Sequence, residues 1–174
     1  MLLVEKKKKE NISEYIIFMY QTEDLIRAYD FELKEIYDYV INHFPLEDEG
    51  KNRIKAWYRK ISNQMKKQGI QKKGHLKEVK DLINELSTLN LELLKSDQSY
   101  RRIFDQAKLH IFKKAGSNGK RFLPIQVCLD GIYGRILNRL KGKPVDQETN
   151  QGVAAFSDVV SYLSFKYQKR NNGH

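Results

Sequence analysis

The stretch EYIIFMYQTEDLIRAYD, residues 14–30, decides the fold because it predicts a helix that is apolar around most of its circumference. At about 100° per residue, Ile16, Met19 and Ile26 share one face, and Phe18 lies on the opposite side. A helix that is apolar all round is usually buried inside its bundle. We therefore predict an all-α bundle in which this first helix is central and largely buried.

Three charged residues, Glu23, Asp24 and Arg27, interrupt this apolar helix. Arg27 follows Asp24 by three positions and Glu23 by four, so one guanidinium can contact both carboxylates along its own helix. A buried charge must be paired, because its desolvation is otherwise uncompensated. The spacing predicts a partly buried ion network, which is either a structural cluster or the centre of a ligand pocket.

Helical apolar spacing continues along the rest of the chain, and it predicts about seven helices in a single domain, residues 1–174. Asn11 is expected to cap the first helix, and Pro45 is expected to end the second. Only the basic N-terminal segment, residues 1–9, and the tail, residues 170–174, are expected to fray. No internal repeat or linker divides the chain.

Two features of the composition predict a cytoplasmic protein without a membrane partner. The single cysteine, Cys128, cannot form an intramolecular disulfide, which suits a reducing compartment. The longest uncharged run of the first helix, residues 15–22, is far shorter than the roughly 20 apolar residues that span a bilayer.

Charge is distributed unevenly along the chain. Residues 1–50 contain 6 basic and 12 acidic side chains, whereas residues 51–174 contain 26 basic and 10 acidic ones. Such asymmetry indicates either a polyanionic partner or an acidic segment that folds against a basic one.

The strongest basic signal lies between Lys51 and Lys80, where 11 basic residues accompany one acid, Glu78. A single-sign helical face is typical of nucleic-acid-binding proteins, which contact phosphates with Lys and Arg. We predict RNA or DNA as the partner; the alternative is compensation by the acidic second helix, through Glu32, Glu35 and Asp38. The basic side chains predicted on the exposed face of the third helix are Arg53, Lys55, Arg59, Lys60, Lys66 and Lys67.

The motif QKKGHLKEV, residues 71–79, follows this face. Gly74 allows the chain to turn, and His75 lies at the expected start of a helix, where free backbone N–H groups together with Lys72, Lys73 and Lys77 can hold an anion such as phosphate. His75 can donate or accept a proton at such a site. The competing interpretation is that His75 is a turn or capping residue.

Two glycines, Gly131 and Gly134, lie inside the helix predicted from CLDGIYGRILNRL, residues 128–140. Each costs about 1 kcal/mol of helix stability relative to Ala. Either a neighbouring helix approaches closely at both, or a ligand passes over them.

Several enzyme classes lack their motifs in this sequence. Glu-x-x-His never occurs, which argues against a di-iron carboxylate bundle, and neither His-x-x-x-His nor paired cysteines are present for zinc. The loop that ends in Gly119-Lys120 has Lys114 where a phosphate-binding loop needs its first glycine. We therefore predict no metal and no cofactor.

Three segments together resemble a small bacterial family known only as a domain of unknown function. They are ENISEYIIFMYQTEDLIRA from Glu10, KGHL at residues 73–76, and CLDGIYGRILNRL followed by Glu148-Thr149. Tyr20 departs from the Trp that the family's pattern has at this position. The resemblance implies an all-helical cytoplasmic protein with no assigned activity.

These observations favour a non-enzymatic cytoplasmic binding protein whose basic face contacts nucleic acid or another polyanion. The alternative is a small-molecule-binding protein or enzyme that takes an acidic or phosphorylated ligand in a pocket near Glu23, Arg27 and His75. The sequence also leaves open a homodimer formed through exposed apolar surface.

Overall fold

A computed structural model describes residues 3–116 and 121–173, and the predicted all-α class is confirmed, since no strand occurs in these ranges. The predicted loop at Gly119-Lys120 lies outside the described residues. A short 3-10 helix, Ile41–His43, follows the third α-helix. The described residues form eight α-helices: α1 (Leu3–Glu10), α2 (Ile12–Ala28), α3 (Leu33–Tyr39), α4 (Asp48–Lys67), α5 (Lys77–Ser96), α6 (Gln98–Ala115), α7 (Pro124–Leu140) and α8 (Gln147–Asn172).

Helix α2 corresponds to the first helix of the sequence prediction. It begins after Asn11, whose side chain accepts a hydrogen bond from the backbone N–H of Glu14 at 3.2 Å, as expected of a cap. Ile16, Met19 and Ile26 are at most 1% exposed. The helix packs against α1, α4, α5, α7 and α8, so its polar side chains reach several other elements.

The structure differs from the predicted helices at two places outside the core. Residues 3–10 form an additional helix, α1, before the helix that was expected to be the first. Helix α1 is tied to its surroundings by ion pairs, among them Lys7 to Glu14 at 3.2 Å. The second predicted helix divides at Val40 into α3 and the 3-10 helix before it reaches Pro45. No helix in the described ranges has the length and apolar character needed to cross a membrane.

The two glycines of α7 have different surroundings. A Cβ atom added at Gly131 would lie 2.6 Å from the ring of Phe156 on α8, so the prediction of close helix approach is confirmed there. At Gly134 a Cβ would meet no described atom within 4 Å, and the same prediction is wrong at that position. Helix α8 therefore packs onto α7 at the first glycine, and the second lies beside open space.

Candidate functional site

The segment between α4 and α5, residues 68–76, forms a loop that folds back over α2; we call it the α4–α5 loop. Gly69 has φ +69° and Gly74 has φ +98°, and both angles fall in the left-handed region that favours glycine. These two turns reverse the chain after α4 and bring His75 and Leu76 against the buried side of α2.

Glu23 on α2 is the buried anchor of this loop. Its side chain has zero exposure, and its Oε2 lies 2.6 Å from Nδ1 of His75. Its Oε1 accepts a hydrogen bond of 2.9 Å from the backbone N–H of Leu76, the residue that precedes α5. The carboxylate thus occupies the N-terminal end of α5, where the helix dipole and free N–H groups stabilise negative charge.

Arg27 holds the same loop one helical turn further along α2. Its Nη2 donates hydrogen bonds to the carbonyl oxygens of Ile70, at 3.0 Å, and of Gly74, and its Nη1 donates to Asp24 at 3.2 Å. The prediction that Arg27 also contacts Glu23 is wrong. A helical wheel compares only residues of one helix, whereas the guanidinium reaches out to a loop far along the chain.

Two tyrosines complete the cluster. The imidazole of His75 stacks on the ring of Tyr20, with 3.9 Å between centroids and 12° between planes. Tyr133 on α7 donates its hydroxyl to Asp24 Oδ2 at 2.6 Å. Burial is the main cause that raises the pKa of both phenols far above the usual value, so both stay protonated. We call the cluster of Tyr20, Glu23, Asp24, Arg27, His75 and Tyr133 the α2 network.

The charged side chains of the α2 network find their partners within the network or in the α4–α5 loop. The structure brings together all four predicted pocket residues, Glu23, Asp24, Arg27 and His75, but they contact one another or the loop directly. The guanidinium of Arg27 is occupied by one carboxylate and two carbonyl oxygens. The side chain of His75 is 28% exposed, so its outer edge reaches the surface. This arrangement fixes a loop, and it leaves Arg27 poorly placed to bind an acidic ligand.

The predicted anion site at the start of α5 is occupied from within the chain. Glu23 accepts a hydrogen bond from the backbone N–H of Leu76, and the side-chain carbonyl of Gln68 accepts one from the backbone N–H of Lys77 at 2.8 Å. The ammonium of Lys77 is paired with Asp81 at 2.6 Å. Two of the backbone donors that we expected to hold phosphate, those of Leu76 and Lys77, therefore already have partners.

The predicted basic residues separate into two groups. Arg53 is paired with Glu49, and the half-buried Lys55 lies over the ring of Tyr37 at 5.6 Å. Lys77 is exposed and paired with Asp81; the remaining members are also exposed, and within the described residues none of them forms an ion pair with a carboxylate. We call this second group the basic surface; its residues are Arg59, Lys60, Lys66, Lys67, Lys72 and Lys73.

The acidic second helix does not neutralise the basic surface through direct contacts. Asp38 of α3 is paired with Lys34 of the same helix at 2.7 Å. Glu32 and Glu35 form no ion pair with α4 in the described part of the chain. The positive charge of the basic surface consequently faces solvent.

Tyr20 and Tyr133 were not predicted as members of the site. Tyr20 was noted only as a departure from a family pattern, and no short-range signal connects Tyr133 with Asp24, 109 positions away. In residues 3–116 and 121–173, no group of three or more His, Cys, Asp or Glu side chains is arranged to hold a metal ion.

The fold and the α2 network define an all-helical protein in which one buried helix holds the loop between two others. The chain belongs to the family described as Domain of unknown function (DUF4924), whose sequence profile matches residues 1–174. This match confirms the resemblance drawn from the three sequence segments. Comparisons with curated proteins and with solved structures found no match.

Proposed function

We propose that this protein is a non-enzymatic, cytoplasmic nucleic-acid-binding protein and that the basic surface is its contact site. The observation that carries the proposal is the exposure of six cationic side chains, on α4 and the loop that follows it, without carboxylate partners in the described structure. Nucleic acids bind such surfaces because the cationic side chains neutralise backbone phosphates, which releases the counterions condensed around those phosphates.

The α2 network supports this assignment by holding the loop that carries part of the basic surface. Lys66 and Lys67 end α4, and Lys72 and Lys73 follow in the α4–α5 loop. Arg27 binds the carbonyl oxygens of the loop on both sides of this lysine pair, at Ile70 and at Gly74. An ordered loop presents its charges to a partner at a smaller entropic cost than a flexible one.

A pocket for an acidic or phosphorylated small molecule near Glu23, Arg27 and His75 is the weaker alternative. Glu23 and Asp24 would repel an anionic ligand, and Arg27 is engaged by the protein itself. The partly exposed edge of His75 is the one feature of the α2 network that favours it.

The experiment is a titration of labelled single-stranded RNA and duplex DNA at several salt concentrations. Each neutralised phosphate contributes about −0.7 to −0.9 to the slope of log K against log salt. Replacing Arg59, Lys66 and Lys67 together by Gln should therefore reduce the slope by about two to three units. The matched control replaces Arg139, Lys141 and Lys143, which are also exposed, and should change it little.

The two triple variants remove the same charge, so the comparison separates a local site from the net charge of the protein. Equal slopes in both variants, or no measurable binding at low salt, would contradict the proposal. Thermal unfolding of each variant checks the fold, and exposed charges contribute little to stability.

A further inference from the structure

A cavity of about 510 Å³ opens between α2, the segment after the 3-10 helix, and the first half of α4. Its walls are aromatic and aliphatic, and include Phe18, Phe44, Leu46, Ile54 and Trp57. Pockets for small ligands have volumes of roughly 300–1,000 Å³ and mostly apolar walls with few polar groups. The cavity is separate from both the α2 network and the basic surface.

Aromatic contacts build the inner wall of this cavity. Trp57 stacks on Phe18 with 5.5 Å between ring centroids and 28° between planes. It also meets Tyr58 edge to face at 5.3 Å. Leu46, which is 44% exposed, lies where the cavity meets solvent. These contacts form a cavity wall of large apolar rings.

Arg53 is the one charged side chain among the described residues that line the cavity. Its guanidinium is paired with Glu49, and the two side chains are 57% and 78% exposed. An exposed pair of this kind contributes little to stability, so a ligand carboxylate can replace Glu49 as the partner of Arg53. A positive group at an apolar cavity matches a ligand with an apolar body and an anionic head.

We propose that this cavity binds a single-chain amphiphilic carboxylate of the fatty-acid type. The alkyl chain lies against Trp57 and Phe18, and the carboxylate pairs with Arg53. The proposal does not depend on nucleic-acid binding, because Arg53 is not part of the basic surface.

The chain contains a single tryptophan, so the fluorescence of Trp57 reports directly on the cavity. The probes are dodecanoate and dodecanol, which share an alkyl chain and differ in the charged head. We expect saturable changes in Trp57 emission with both ligands and tighter binding of dodecanoate.

Charge variants test the head-group contact. Arg53→Gln should weaken dodecanoate binding about fivefold, which is the scale of an exposed ion pair, and leave dodecanol binding unchanged. Glu49→Gln should strengthen dodecanoate binding because it removes the competing carboxylate. Equal effects of Arg53→Gln on both ligands would overturn the carboxylate assignment.

A filling variant tests the location. Gly50 lines the cavity within α4, and a Cβ added there would lie 3.5 Å from the nearest atom of Leu46, an ordinary contact. Gly50→Leu should therefore fold with an unchanged or higher melting temperature, since Leu favours a helix more than Gly does. It should weaken the binding of both ligands about tenfold or more, because the added side chain occupies the space of the alkyl chain.

Three further outcomes would overturn the proposal. They are unchanged binding in Gly50→Leu, a dimer in sedimentation that Gly50→Leu dissociates, and attachment to phosphatidylcholine vesicles without a response to dodecanoate. The second would make another copy of the chain the occupant of the cavity. The third would indicate a lipid surface.

Discussion

Nδ1 of His75 lies 2.6 Å from Oε2 of Glu23, a side chain with zero exposure that precedes it by 52 positions. The other oxygen of the same carboxylate binds the backbone N–H of Leu76. Both carboxylate oxygens are thus used by two consecutive residues of the α4–α5 loop. Because both oxygens of the buried Glu23 carboxylate bind this loop, the position of the loop depends on that one side chain.

Removing the Glu23 carboxylate should destabilise the protein strongly. Glu23→Ala leaves the part-buried imidazole of His75 and the buried N–H of Leu76 without their acceptor, and each such unsatisfied group costs about 1 to 3 kcal/mol. Glu14→Ala is the matched control on α2, since Glu14 pairs with Lys7 at the surface and should lose under about 1 kcal/mol. Urea denaturation measures both. Equal losses would contradict the structural importance of the buried contact.

Arg27→Met should release the α4–α5 loop. The variant removes the donors to Ile70 and Gly74 and leaves Asp24 without its cation, which we expect to cost about 3 kcal/mol. Arg27→Lys keeps the charge but lacks the planar guanidinium with its several fixed donors, so the loss of stability should be intermediate. Amide hydrogen exchange should accelerate within residues 68–76 more than in α8. A uniform change along the chain would argue against a local release.

The two glycines of α7 should respond in opposite directions to the same substitution. Gly131→Ala places a Cβ 2.6 Å from the ring of Phe156, which is only 4% exposed, and such overpacking costs about 1 to 3 kcal/mol. Gly134→Ala meets no described atom within 4 Å and should stabilise the helix by about 1 kcal/mol. Melting temperatures of the two variants give the comparison. A lower melting temperature of Gly134→Ala would contradict the prediction that a side chain fits beside this position.

The contrast between these glycines illustrates what the sequence alone can predict. Apolar spacing located α2 and α4 to α8 because core-facing positions repeat with the helical period. It missed α1, since a run of four lysines hides the apolar positions, and it did not separate α3 from the 3-10 helix. Close packing at Gly131 depends on the position of Phe156, 25 positions away, which the helical period does not encode.

The same limit applies to the α2 network. The spacing correctly indicated that charges in an apolar helix need partners, and it gave the Asp24–Arg27 contact because that contact lies within one helix. The partners of Glu23, and those of Arg27 in the loop, come from tertiary folding. Their distance along the chain removes any periodic signal that would identify them.

Alkaline pH should unfold the protein through its buried tyrosines. Burial raises the pKa of Tyr20 and Tyr100 far above the usual value, so the folded state keeps protons that the unfolded chain releases near about pH 10. The contribution of these tyrosines to stability should therefore be constant below about pH 9 and should fall above about pH 10 by about 1.4 kcal/mol per pH unit for each such group. Tyr100→Phe should reduce this slope by about 1.4 kcal/mol per pH unit, because it removes one of these groups. The unfolding free energy measured against pH provides the check.

The α2 network should control nucleic-acid affinity without changing the number of phosphates contacted. If the basic surface binds phosphates, replacing Lys72 and Lys73 by Gln should reduce the salt slope by about 1.4 to 1.8 units, because two charges are lost. Glu23→Gln keeps every cation of the basic surface but replaces the carboxylate oxygen next to His75 Nδ1 by an amide group. The weaker contact should loosen the loop, so nucleic-acid affinity should fall while the salt slope stays constant. Titrations at several salt concentrations, at a temperature where both variants are folded, separate the two effects. A reduced slope in Glu23→Gln would show that the loop lysines leave the phosphates altogether, and unchanged affinity would show that the order of the loop does not contribute to binding.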